Sequence, residues 1–172
     1  MRGNSFAEST NRYGTRARGI RHEDCVSSER SSYRHWVLEK AIVDLCVSNG
    51  ITPLTNNDID LLVQSNSTSI IFEVKFCPVG KVGTQMRNAI SQLLEYRFLY
   101  RERLRADVRL CVVSERRPSN RVGWMLSYLE SLGIGIIWKD EQGGGLACSD
   151  FTKRLLGDVL PGISELSSVS MS

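Results

Sequence analysis

One short region of the chain combines side chains suited to a bound cation and a managed proton. The run 69–77 (SIIFEVKFC) is aliphatic and β-branched apart from Glu73 and Lys75. In a strand successive side chains alternate between faces, so these two project to one side and Val74 to the other. Placing both charges in such a strand costs several kcal/mol unless something polar meets them. The preceding run 58–64 (DIDLLVQ) also reads as a strand, and the polar stretch between the two reads as a hairpin. The hairpin brings Asp60 beside Glu73. Two close carboxylates repel unless a cation lies between them, and hard oxygen donors with open water positions suit Mg²⁺, with Mn²⁺ as a substitute. Lys75 then stands where an ammonium can orient a water and offset charge developing on a phosphoryl group. A buried ion pair serving only structure is the alternative for the same residues.

Two further sets accompany this one. Gln92 and Tyr96 are one helical turn apart, with Gln85 and Arg103 seven residues before and after them on nearly the same flank. An amide and a phenol can donate to phosphate oxygens, and Arg97 or Arg103 can add charge-assisted bonds. An amphipathic border packed on a sheet is the bland reading. On an earlier helical stretch Glu39 falls in the sector of His35, Ile42, Val43 and Cys46 rather than with Lys40 and Asp44. An inward carboxylate needs a partner, which is either the site or His35 one turn away.

The elements that carry these residues follow from periodicity and breakers. Apolar residues recur at helical spacing over 29–48, and Asn49-Gly50 is a stop signal. Extended runs follow at 51–55, 58–64 and 69–77, then an amphipathic helix over 84–105 and a strand over 107–114. A helix over 119–132, a strand over 134–138, a glycine-rich turn at 142–145 and a closing helix over 151–160 complete the order. The fold class is therefore α/β, a mixed sheet flanked by helices whose later strands are parallel and covered. Residues 1–28 read as a loose basic arm, 29–160 as one domain, and the serine-rich 161–172 as a frayed tail.

Composition narrows the classes. With 172 residues, 41% hydrophobic and 24% charged, the chain is one globular domain's worth of material. It has no apolar run long enough for a spanning helix and no signal-like h-region at its start, so no membrane and a cytoplasmic location are expected. Five irregularly spaced cysteines without a CxxC pair argue against disulfides and structural zinc. The net charge of +3 hides an uneven distribution, because residues 85–121 carry nine arginines against four acids. Such an excess suits a polyanion.

An αβββαβ order with Asp60 heading one strand and Glu73-Val74-Lys75 in the next resembles the PD-(D/E)XK nuclease superfamily of restriction endonuclease-like fold. Gln92-Leu-Leu-Glu-Tyr96 is similar to the QxxxY motif of its RecB-type members. The resemblance implies that Asp60, Glu73 and the Val74 carbonyl hold the metal and that Lys75 acts with the attacking water. It implies that Glu39 assists the metal site, and that Gln92 and Tyr96 help bind nucleic acid nearby. Ile59 stands where the motif name has proline, leaving Asp58 as a rival first ligand. The expected activity is Mg²⁺-dependent hydrolysis of DNA phosphodiesters, in defence against foreign DNA or in repair, by a homodimer or with a companion protein. The alternatives are an inactive nucleic-acid-binding module and a subunit of a larger nucleoprotein complex.

Overall fold

The computed structural model describes residues 6–8, 24–141 and 143–168. Most of the expected basic arm (1–28) and the last residues of the tail lie outside the described residues. The first helix, α1 (Asp24–Ser48), ends at the expected Asn49-Gly50 signal. Gly50 takes a φ of 71°, the left-handed conformation that closes helices without a Cβ penalty. The Asn49 side chain donates to the Leu45 carbonyl at 2.8 Å and accepts from the Gly162 amide at 3.0 Å, tying the helix end to the C-terminal segment.

Among the described residues, eight strands form one sheet in sequential order. Strands β1 (Ala7–Glu8), β2 (Leu54–Thr55), β3 (Leu61–Gln64) and β4 (Thr68–Lys75) pair antiparallel in succession. Helix α2 (Val82–Leu99) then crosses to β5 (Asp107–Ser114), which lies parallel to β4. Helix α3 (Trp124–Ser131) makes a second crossover to the parallel strand β6 (Ile134–Lys139). Strand β7 (Leu146–Cys148) turns back on β6, α4 (Asp150–Leu156) follows, and β8 (Ser167–Ser168) closes the sheet beside β7. The result is a mixed αβ fold with a multi-stranded sheet flanked by helices.

Alternation along the central strands divides the core in two. Leu62, Ile71, Leu110, Val112 and Ile136 face α2 and α3, meeting Met86, Leu93, Met125 and Leu129. Leu61, Phe72, Val74, Cys111 and Val113 face α1 and the C-terminal segment, meeting Leu38, Ile42, Leu156 and Ile163. Each such side chain contributes roughly 1.5–3 kcal/mol by leaving water. With both faces covered, β4 is buried along its length up to Lys75, as parallel-sheet strands are.

Several boundaries differ from those expected from sequence: α1 begins at Asp24 rather than 29, α3 begins at Trp124 rather than 119, and α4 ends at Leu156 rather than 160. Helix α2 ends at Leu99 rather than continuing to 105. Tyr100, its cap residue, turns inward, and its hydroxyl donates to Asp58 Oδ2. The segment after 160, expected to fray, carries a 3₁₀ turn at Pro161–Glu165 that seats Ile163 in the core. Among the described residues no helix is long and apolar enough to cross a membrane.

Candidate functional site

The antiparallel register of β3 and β4 pairs Leu61 with Phe72, so one step further along the hairpin Asp60 stands across from Glu73. An Asx turn prepares this position. Asn56 Oδ1 accepts from the amides of Asp58 at 2.9 Å and Ile59 at 2.7 Å, bending the chain before β3. Ile59 is fully buried. The Asp60 carboxylate then accepts from the Val74 amide through Oδ2 at 2.8 Å, bridging the two strand ends. Asp58, the rival first acid, is engaged by Tyr100 instead.

Glu73 and Lys75 share a face as alternation requires, and Lys75 Nζ donates to Glu73 Oε1. The other carboxylate oxygen, Glu73 Oε2, is buried with no hydrogen-bond partner among the described residues. Glu73 as a whole is 2% exposed. Burial first, and the Asp60 charge second, push its carboxyl up to about 7 against the counteracting pull of Lys75. A carboxylate held this unfavourably is characteristic of functional sites rather than of an optimised core.

These residues line an open cleft of about 710 Å³, together with Asp58, Gln85, Gln92 and Tyr96. Gln92 Nε2 donates to the Tyr96 hydroxyl at 3.1 Å. Burial, reinforced by the charge of Glu73, raises the Tyr96 phenol to about 12, so it stays protonated and can donate a hydrogen bond at neutral pH. The helical spacing of Gln85, Gln92 and Tyr96 thus sets one flank of α2 against the acids of the hairpin.

His35 also lines the cleft, its Nε2 3.5 Å from Asp60 Oδ2. Sequence alone offers it only as a partner for Glu39, and the sector it shares with Glu39 on α1 is the available signal. The hydrogen bond to Asp60 raises the imidazole pKa most, and the charges of Asp60 and Glu39 add to it. Glu39 is half-buried and acts on this group through its charge, without lining the cleft itself.

Arg97 and Arg103 are not brought to the cleft. Arg97 follows Gln92 by five positions, which rotates it away from the Gln92–Tyr96 flank, and it is exposed. Arg103 falls beyond the end of α2, where its carbonyl accepts from Gln64 Nε2 at 3.1 Å. Arg109 has a structural task, bonding Asp107, Asp158 and the Leu155 carbonyl. Among the described residues no group of three or more His, Cys, Asp or Glu side chains is gathered where it could hold a metal ion. No family model, curated protein or solved structure matches this chain.

Proposed function

We propose that the chain is a Mg²⁺-dependent nuclease of the PD-(D/E)XK kind, hydrolysing DNA phosphodiester bonds at a centre of Asp60, Glu73 and Lys75. The observation that carries this reading is the opposition of Asp60 and Glu73 beside Lys75 in an open cleft, with Glu73 Oε2 buried and unpartnered. The order α1, three antiparallel strands, α2 and a parallel strand supports a restriction endonuclease-like core.

An unsatisfied charged oxygen in the interior is costly, and a second carboxylate beside it adds repulsion. A divalent cation relieves both. Mg²⁺ keeps several waters and is held by one or two carboxylates plus substrate phosphate, so fewer than three protein side chains suffice. Asp60, Glu73 and the Val74 carbonyl would hold it. Bound there, the ion supplies Lewis-acid polarisation of a phosphoryl oxygen and a water of lowered pKa.

The chain's own residues do the rest. Lys75, anchored on Glu73 Oε1, directs its remaining N–H groups to the attacking water and to the charge growing on phosphorus-bound oxygens. His35 and the Val74 amide fix the orientation of Asp60. Tyr96, protonated and steadied by Gln92, donates to a phosphate oxygen and positions the strand.

A non-catalytic nucleic-acid-binding module or nucleoprotein subunit is the second reading, favoured by the Lys75–Glu73 bond and by the small donor set. Supercoiled, linear and branched DNA incubated with Mg²⁺ or EDTA, beside Lys75→Ala, separates the two. The nuclease reading requires cleavage that EDTA and the substitution each abolish, whereas the second reading requires none.

A further inference from the structure

Outside the cleft, exposed aromatic rings gather at the start of α3. Trp124 and Tyr128 lie one turn apart with ring centroids 5.9 Å from each other at 49°, and they remain 52% and 43% exposed. Tryptophan is mostly buried in folded chains, and here Trp36 is half-buried and Trp138 buried. The Arg87 guanidinium, from α2, lies 5.9 Å from the centroid of the Trp124 ring. Arg121 is exposed three residues before Trp124. Neither arginine has an ion-pair partner among the described residues. The start of α3 also packs closely on α2, since a Cβ on Gly83 would lie 3.0 Å from Val122 Cγ1. That close approach sets the entry to α3 beside the turn of α2 that carries Gln85 into the cleft.

We propose that Trp124 and Tyr128 form a stacking platform for unpaired bases of a nucleic-acid strand whose phosphates engage Arg87 and Arg121. Resting on the nuclease reading, it further makes the substrate single-stranded, or unpaired next to the scissile bond. Every base has a π-face, so stacking on aromatic rings is tolerant of sequence, and the bases of an intact duplex are not available to it. The unpaired positive charge decides against a second copy of this chain as the occupant. In a two-fold contact the patch would meet itself and bring like charges together. Gln85 and Arg87 lie on opposite flanks of α2.

The test is binding in EDTA, where no hydrolysis intervenes, followed by the fluorescence anisotropy of labelled strands for every variant and by intrinsic tryptophan fluorescence for the parent. Oligothymidylate should quench the emission and bind about 5- to 100-fold more tightly than an abasic strand of equal length. Trp124→Ala should reduce oligothymidylate to the abasic level, and Trp124→Phe should restore most of the difference. Arg87→Gln should weaken both strands and flatten the salt dependence. Equal affinity for the two strands, or undiminished binding by Trp124→Ala, overturns the platform. So does a change in sedimentation of Trp124→Ala with DNA binding intact, which would reveal a protein interface. Trp124-dependent binding without any Mg²⁺-dependent cleavage would instead remove the nuclease reading and leave the platform standing.

Discussion

Replacing Glu73 by Gln removes a charge that the fold holds against its own solvation. The carboxyl is raised from the usual 4.5 to about 7, chiefly by burial and then by Asp60. Between these values the folded state keeps a proton that the unfolded chain has released, so stability falls as pH rises through that window. Above it the full cost applies, about 3 kcal/mol, since each tenfold change in an ionisation constant is worth about 1.4 kcal/mol. The side chain is 3% exposed, so solvent screening does little to reduce the figure. Glutamine mimics the protonated acid and does not titrate. Glu73→Gln should therefore match the parent near pH 4 and exceed it by up to about 3 kcal/mol at pH 8, while losing cleavage. Urea unfolding at a series of pH values reads this directly, provided the denaturant slopes agree. A variant less stable than the parent by a constant amount at every pH would overturn this expectation. It would identify Glu73–Lys75 as a net stabilising ion pair.

Other expectations follow from the same contacts. Asp60→Asn should lower the His35 pKa, since its hydrogen bond to Asp60 is the largest raising influence, and NMR titration of the imidazole would show it. The His35 contribution to stability is full below the unfolded value of 6.5 and is lost as pH rises through the raised folded value, so that dependence should also shrink in Asp60→Asn. Arg109→Gln should lower stability by about 1 kcal/mol in chemical unfolding, by removing ion pairs to the exposed Asp107 and Asp158 and a bond to the part-buried Leu155 carbonyl, without changing the salt dependence of DNA binding. Ser149→Ala should cost about 1 kcal/mol, because Ser149 caps α4 through the Thr152 amide, and thermal unfolding would register it.

Much of the hairpin is legible in the sequence because alternation is a strong constraint. A strand with Ile70, Ile71, Phe72 and Val74 buried on its two faces leaves Glu73 and Lys75 little choice of direction. The flank of Gln85, Gln92 and Tyr96 is legible for the same reason at helical period. Arg103 joins that flank only on the expectation that α2 continues to 105, whereas Arg97, inside the helix, is turned away by its own helical phase. The end of the helix depends on Tyr100 finding Asp58, a contact between residues far apart in sequence that no local pattern encodes. His35 shows a related limit. Its approach to Asp60 depends on how α1 lies across the sheet end, which packing of Leu38 and Ile42 decides. Trp124 and Tyr128 read locally as part of an apolar helix, and only the solvent exposure of their rings marks them out.

Whether a divalent cation sits between Asp60 and Glu73 decides the nuclease assignment. Calorimetric titration of Mn²⁺ at pH 6 and pH 8 in buffers of different ionisation enthalpy measures this. One ion per chain should bind, with proton release at pH 6 that vanishes at pH 8 as Glu73 ionises on its own, and Asp60→Asn should abolish binding. Absence of binding, or binding unaltered by Asp60→Asn and Glu73→Gln, would rule the assignment out.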